Sequence, residues 1–205
     1  PGGALAKPFA THQNALDMPL YLRVAPELYL KRLLVGGLDR VYEINRSFRN
    51  EGISTQHNPE FTMLEIYEAY ANYRDFIGLT QTLIQESARA VLGTDQLSYQ
   101  DQIIDLKSDF EIMTIEEGLI QHNPDLTDDP RDLKQLRSIC DERGIKYEND
   151  HGAGKLQIEL FEATVEKHLA GPVFVTGYPA EVSPLARCKD DDAFLDLSSL
   201  FLVEK

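Results

Sequence analysis

The stretch "FRNEGISTQHNPEFTMLE", Phe48 to Glu65, concentrates groups able to hold a charged ligand: Arg49, Glu51, His57, Asn58, Phe61 and Glu65. An arginine fork neutralises and orients a phosphate or a carboxylate. An aromatic ring stacks on a base. A carboxylate beside a hydroxyl, as Glu65 beside Tyr67, takes the cationic end of a substrate. Together these groups describe a pocket for a nucleotide and an amino-bearing molecule.

Two strands have to position them. "RVYEINRSFR" (40–49) and "EFTMLEIYEAY" (60–70) are rich in strand formers and alternate with period two. The polar loop between them is longer than a tight reversing turn. Strand parity puts Phe61, Met63, Glu65 and Tyr67 on one face, and Glu43, Asn45, Ser47 and Arg49 on one face of the other strand, with Glu51 following. If the two faces coincide, one surface carries Arg49, Phe61, Glu65 and Tyr67. The same residues fit a plainer reading, in which Arg49 faces a glutamate as a cross-strand ion pair and Phe61 and Met63 are core.

Further elements follow along the chain. "YLRVA" (21–25) reads as a short strand. "PELYLKRLLVGG" reads as a helix with Pro26 at its first position, Glu27 at its positive end and Gly36 as its stop. Phe76, Leu79, Leu83 and Val91 recur at helical spacing up to Gly93. Thr114 and Glu117 form a capping-box pattern opening another helix. Segments 132–144 and 154–171 read as two more helices, and "PVFVTGYP" (172–179) as a buried strand. Strands early and late with helices between them predict an α+β fold with a mainly antiparallel sheet flanked by helices. The whole chain, 1–205, reads as one partial domain with a helix-rich segment at about 100–170.

The 205 residues carry a net charge of −14, unevenly spread. Residues 1–60 hold seven Lys/Arg against six Asp/Glu; residues 61–205 hold 13 against 28, a balance of −15. An acidic surface repels phosphate backbones, so nucleic-acid contact needs a local patch or another domain. Two cysteines, Cys140 and Cys188, make no disulfide framework and imply a reducing, cytoplasmic setting. No apolar run is long enough for a membrane span. His12, His122, His151 and His168 lack metal-ligand spacing, and no zinc site or other metal-ligand set is expected. "HGAG" (151–154) lacks the Lys-Ser/Thr ending of a phosphate loop and reads as a turn.

"FRNEGISTQHNPEFTMLEIY" resembles the second signature motif of class II aminoacyl-tRNA synthetases, in the form of the lysine branch. The similarity extends over "PGGALAKPFATHQNALDMPLYLRVAPELYLKRLLVGGLDRVYEINRSFRNEG" and "YPAEVSPLA" (178–186), most of the chain. It implies a class II catalytic core that binds ATP and lysine, forms lysyl-adenylate and passes the lysyl group to tRNA. It implies that Arg49 contacts the α-phosphate and the lysine carboxylate, Glu51 the adenine amino group, His57 and Asn58 the bent triphosphate, and Phe61 the adenine ring. Gly3 and Glu27 are implied to hold the lysine α-amino group, and Glu65 and Tyr67 to face its ε-amino end. Glu27 thus has a second reading beside the helix dipole.

The family is homodimeric and uses Mg2+. This chain is expected to begin after the first, dimer-forming motif, to end before the third, and to lack the anticodon-binding domain, as an excised piece that does not charge tRNA unaided. Near the end, "FLDLSSLFLVEK" departs from the family wording, with Leu197, Ser198 and Ser199 where an Arg-aromatic-Glu run is expected. The magnesium carboxylate is therefore expected to be replaced near Ser199, which has no charge to offer. Two alternatives remain: a synthetase-like paralogue that modifies a protein, and a non-catalytic binding module.

Overall fold

The two alternating runs do pair with each other, in a computed structural model that describes residues 6–54, 57–99, 101–126, 129–182 and 198–202. The chain divides into two units, residues 1–71 and 72–205. In the first, strands β1 (Ala10–Gln13) and β2 (Met18–Tyr21) form an antiparallel hairpin, helix α1 spans Glu27–Val35, and strands β3 (Arg40–Phe48) and β4 (Glu60–Glu68) form a second antiparallel hairpin. The strand expected at 21–25 is not formed. Residues 22–24 lie beside other segments through isolated bonds, Leu22 N–H to the Phe9 carbonyl and Phe48 N–H to the Arg23 carbonyl. Pro26, which cannot donate to a ladder, follows at once. Helix α1 starts at Glu27, one residue later than expected, and the Pro26 carbonyl accepts its first bonds.

The second unit opens with α2 (Tyr73–Leu92), capped by a reciprocal Asn72–Asp75 box and closed by Gly93 at φ +68. Strands β5 (Gln96–Tyr99) and β6 (Gln102–Asp105) form a hairpin, and β7 (Glu111–Thr114) leads into α3 (Ile115–His122). Helices α4 (Leu133–Arg143) and α5 (Ala153–Thr164) follow, then β8 (Val173–Thr176) and β9 (Ser198–Phe201). Helix α5 stops seven residues short of the expected 171. The β-branched Thr164 and Val165 end it, and a 3-10 turn at Glu166–His168 continues the path.

The architecture is α+β, yet the expected single antiparallel sheet is not what the described strands form. They make four separate sheets, and within the three-stranded one β7 pairs with β8 in parallel while β9 runs antiparallel to β8. A parallel pair requires a crossover, here the stretch holding α3, α4 and α5. That crossover builds the main core: Ile115, Leu119, Leu136, Leu156, Leu160, Val165 and Val175 are fully buried together. A smaller cluster joins Ala88, Ile104, Leu106, Phe110 and Phe174. In the first unit, Val24 and Leu30 are the buried apolar residues among those described.

The capping box of α3 is formed as the sequence predicts. Glu117 N–H donates to Thr114 Oγ1 at 3.1 Å and Thr114 N–H to Glu117 Oε2 at 2.7 Å. Thr114→Ala is expected to lower stability by about 1 kcal/mol, the usual loss for a removed cap. A urea unfolding midpoint indistinguishable from that of the parent would contradict it.

Candidate active site

The register between β3 and β4 decides the parity question. Ser47 stands opposite Phe61, Asn45 opposite Met63, Glu43 opposite Glu65 and Val41 opposite Tyr67, so the two expected faces are one surface. Its residues are buried or half-buried, whereas Tyr42, Ile44 and Leu64 on the other face are exposed. The cross-strand ion pairs also lie on that other face, Arg40 with Glu68 at 2.8 Å and Arg46 with Glu60. Arg49 pairs with no carboxylate among the described residues. The ion-pair reading of Arg49 is thus set aside by geometry.

Beyond Phe48 the chain leaves the ladder but stays pinned. Arg49 N–H donates to the Pro59 carbonyl at 2.9 Å and Asn50 N–H to the Lys7 carbonyl at 2.7 Å. At the far end of the loop Ser54 and His57 exchange backbone bonds, and Ser54 Oγ contacts His57 Nδ1 at 2.8 Å, which sets the imidazole plane. These restraints shape a cavity of about 390 Å³ lined by Arg49, Glu51, Gly52, His57, Asn58 and Phe61. All five expected nucleotide residues therefore meet in one place. The Arg49 guanidinium lies 5.0 Å from the centre of the Phe61 ring, a cation–π contact, and its Nε is buried without an acceptor among the described residues.

Four residues further along β4, about 13 Å at strand spacing, lies the second group. Tyr67 Oη donates to Glu65 Oε2 at 2.8 Å. Burial pushes the Tyr67 hydroxyl well above its ordinary pKa, and the charges of Glu65 and Glu27 add to the shift. The hydroxyl thus stays protonated, and Glu27 at the start of α1 is close enough to act on it. Glu27 also binds Lys31, one turn on. Gly3 lies outside the described residues.

Two neighbours of this site carried no role in the sequence reading. Glu43, directly across from Glu65, is ion-paired with Arg23. Ser54 orients His57. Parity marks Glu43 as facing the site, but nothing local connects it to Arg23, twenty residues earlier.

The acidic residues nearest Ser199 in the sequence, Asp190, Asp191, Asp192, Asp196 and Glu204, lie outside the described residues. Ser199 pairs with Val175 in the β8–β9 ladder. Among the described residues, no group of three or more His, Cys, Asp or Glu side chains is placed to hold a metal ion. Among the described residues no helix is long and apolar enough to cross a membrane.

Residues 1–200 match the family model described as tRNA synthetases class II (D, K and N). The chain is 56% identical over 196 residues to a lysine–tRNA ligase of Thioalkalivibrio sulfidiphilus (strain HL-EbGR7), covering 95% of this chain and 39% of that protein. It is 54% identical over 204 residues to the lysine–tRNA ligase of Xanthomonas oryzae pv. oryzae (strain MAFF 311018), covering 98% and 40%. It is 54% identical over 191 residues to that of Legionella pneumophila (strain Paris), covering 93% and 38%. The chain thus spans about two fifths of the length of the curated relatives it matches.

Proposed function

The chain belongs to the class II tRNA synthetases of the D, K and N group, and from that premise we propose that it is the ATP- and lysine-binding portion of a lysine–tRNA ligase. The observation that carries the proposal is the sequence of groups on one sheet face. A cavity lined by Arg49, Glu51, His57, Asn58 and Phe61 lies at one end, and the Glu65–Tyr67 pair with Glu27 at the other. A nucleotide at the first and an aminoalkyl chain at the second bring an α-phosphate and a carboxylate together between them.

The reaction is lysine activation. A carboxylate oxygen of lysine attacks the α-phosphorus, the bond to the bridging oxygen breaks, and pyrophosphate leaves with its electron pair, giving lysyl-adenylate. No side chain acts as nucleophile. The protein holds two anions that repel each other and stabilises the charge on the phosphoryl group in flight. Arg49 bonds both anions. Adenine stacks on Phe61, which moves the Arg49 guanidinium off that ring face and towards the phosphates. Glu51 accepts from the adenine amino group, His57 and Asn58 hold the outer phosphates, Glu27 and Gly3 take the α-amino group, and Glu65 and Tyr67 take the ε-ammonium.

In the whole protein the lysyl group then passes to the 3′ end of a tRNA, and the family's dimer and cytoplasmic setting are part of the same reading. The segment 1–205 is, in this reading, one partial catalytic domain with a helix-rich segment at about 100–170. A magnesium ligand replaced near Ser199 belongs to the proposal too. The two alternatives, a paralogue that modifies a protein and a non-catalytic module, find no support in relatives named lysine–tRNA ligases.

The test is lysine-dependent exchange of labelled pyrophosphate into ATP by the whole protein. Exchange with lysine and none with aspartate or asparagine is expected. Exchange driven by aspartate, or by no amino acid, would overturn the reading.

A further inference from the structure

We propose that Asn45 is a further substrate-contacting donor of this site, its side-chain amide bonding the oxygen that lies between nucleotide and amino acid; the inference rests on the lysine-activation reading above. Asn45 is 8% exposed, and its Nδ2 has no hydrogen-bond partner among the described residues. Its Oδ1 accepts from the Ser47 hydroxyl at 3.1 Å, which leaves the NH2 group as the part without a bond. A buried donor without an acceptor costs more than an ordinary hydrogen bond gains. Such a group persists where function uses it.

Its position says which function. On the site face the rungs run Ser47–Phe61, Asn45–Met63, Glu43–Glu65 and Val41–Tyr67. Asn45 is thus the rung between the aromatic end and the carboxylate end, about 7 Å from each at strand spacing. A ligand spanning both ends must lay its phosphate and carboxylate over that rung. Both groups are acceptors, and the amide is a donor. Arg49, the other residue of the first unit with a buried unpartnered donor among those described, follows four residues on, just past the end of β3. Two unsatisfied N–H groups, that of Arg49 lining the cavity and that of Asn45 one rung from Phe61, match an anion. Met63, half-buried and directly opposite, is unbranched and changes rotamer easily, so it can make room for a ligand oxygen on this rung.

Asn45→Leu keeps the volume and removes the donor, but orphans the buried Ser47 hydroxyl, so the substitution is made in a Ser47→Ala background. Relative to Ser47→Ala alone, adding Asn45→Leu in the whole protein should lower kcat of lysine-dependent pyrophosphate exchange about 10- to 100-fold, with KM for ATP within about threefold. The urea midpoint without ligand should not fall, since the residue removed was unsatisfied there. Asn45→Gln, which keeps the amide, should recover part of the rate. A second readout needs no turnover: on adding a lysyl-sulfamoyl-adenosine analogue, the Asn45 side-chain NH2 resonances of the parent should move downfield. Unchanged exchange, a rate loss that only follows a loss of stability, or unmoved resonances would overturn the proposal. If the parent itself shows no lysine-dependent exchange, the lysine-activation reading fails. If the parent exchanges and the Asn45 variant exchanges equally, this proposal alone fails.

Discussion

Arg49→Ala is expected to slow lysyl-adenylate formation by about 10² to 10³, the loss found when one donor aimed at developing charge is removed. The backbone N–H of Arg49 is tied to the Pro59 carbonyl, and its guanidinium rests on the Phe61 ring until adenine takes that face. It pairs with no carboxylate among the described residues, so its charge is available to an anion. Arg49→Lys is expected to recover little, because an ammonium cannot bridge two anions with a planar fork. Single-turnover adenylate formation in the whole protein measures the effect. An alanine variant as fast as the parent would remove Arg49 from the reaction.

The second large effect is on amino-acid recognition. Glu65→Gln is expected to weaken lysine binding by about 10- to 100-fold, since a hydrogen bond to a charged group contributes roughly 1.5–3 kcal/mol. The substitution keeps the shape of the side chain and leaves an oxygen to accept from Tyr67. What it removes is the charge proposed to meet the ε-ammonium. The parent should therefore prefer lysine to norleucine, which has no ammonium, and the variant should lose most of that preference. Calorimetric titration with the two amino acids reads this directly. Undiminished preference for lysine in the variant would show that another group, with Glu43 across the ladder the first to examine, reads the ε-amino end.

Strand alternation made β3 and β4 legible because it depends on neighbours two residues apart, and it correctly grouped Phe61, Glu65 and Tyr67 before any pairing was known. Caps were legible for the same reason. Thr114 and Glu117 are three residues apart, and Gly93 and Gly144 sit at left-handed positions that end α2 and α4. The hairpins β1–β2 and β5–β6 were not legible. Their four-residue strands are mostly exposed and show too little alternation to stand out. The parallel pairing of Glu111 with Val173 was out of reach, since no local pattern names a partner across an intervening set of helices.

By itself the sequence determined the residue types at the site, the faces on which strand period places them, and the family wording that ties Arg49, Glu51, His57, Asn58 and Phe61 to a nucleotide. Those properties are local, written in spacings of two to four residues and in side-chain chemistry. Only the tertiary structure decided that the two strand faces coincide, that the arginine ion pairs of the hairpin lie on the opposite face, that Glu27 acts on Tyr67, and that Asn45 is buried with a donor unmet. Each of these is a contact between residues distant in the chain or a shielding from water. Such contacts depend on how whole elements pack against one another, a balance that no short stretch of sequence contains.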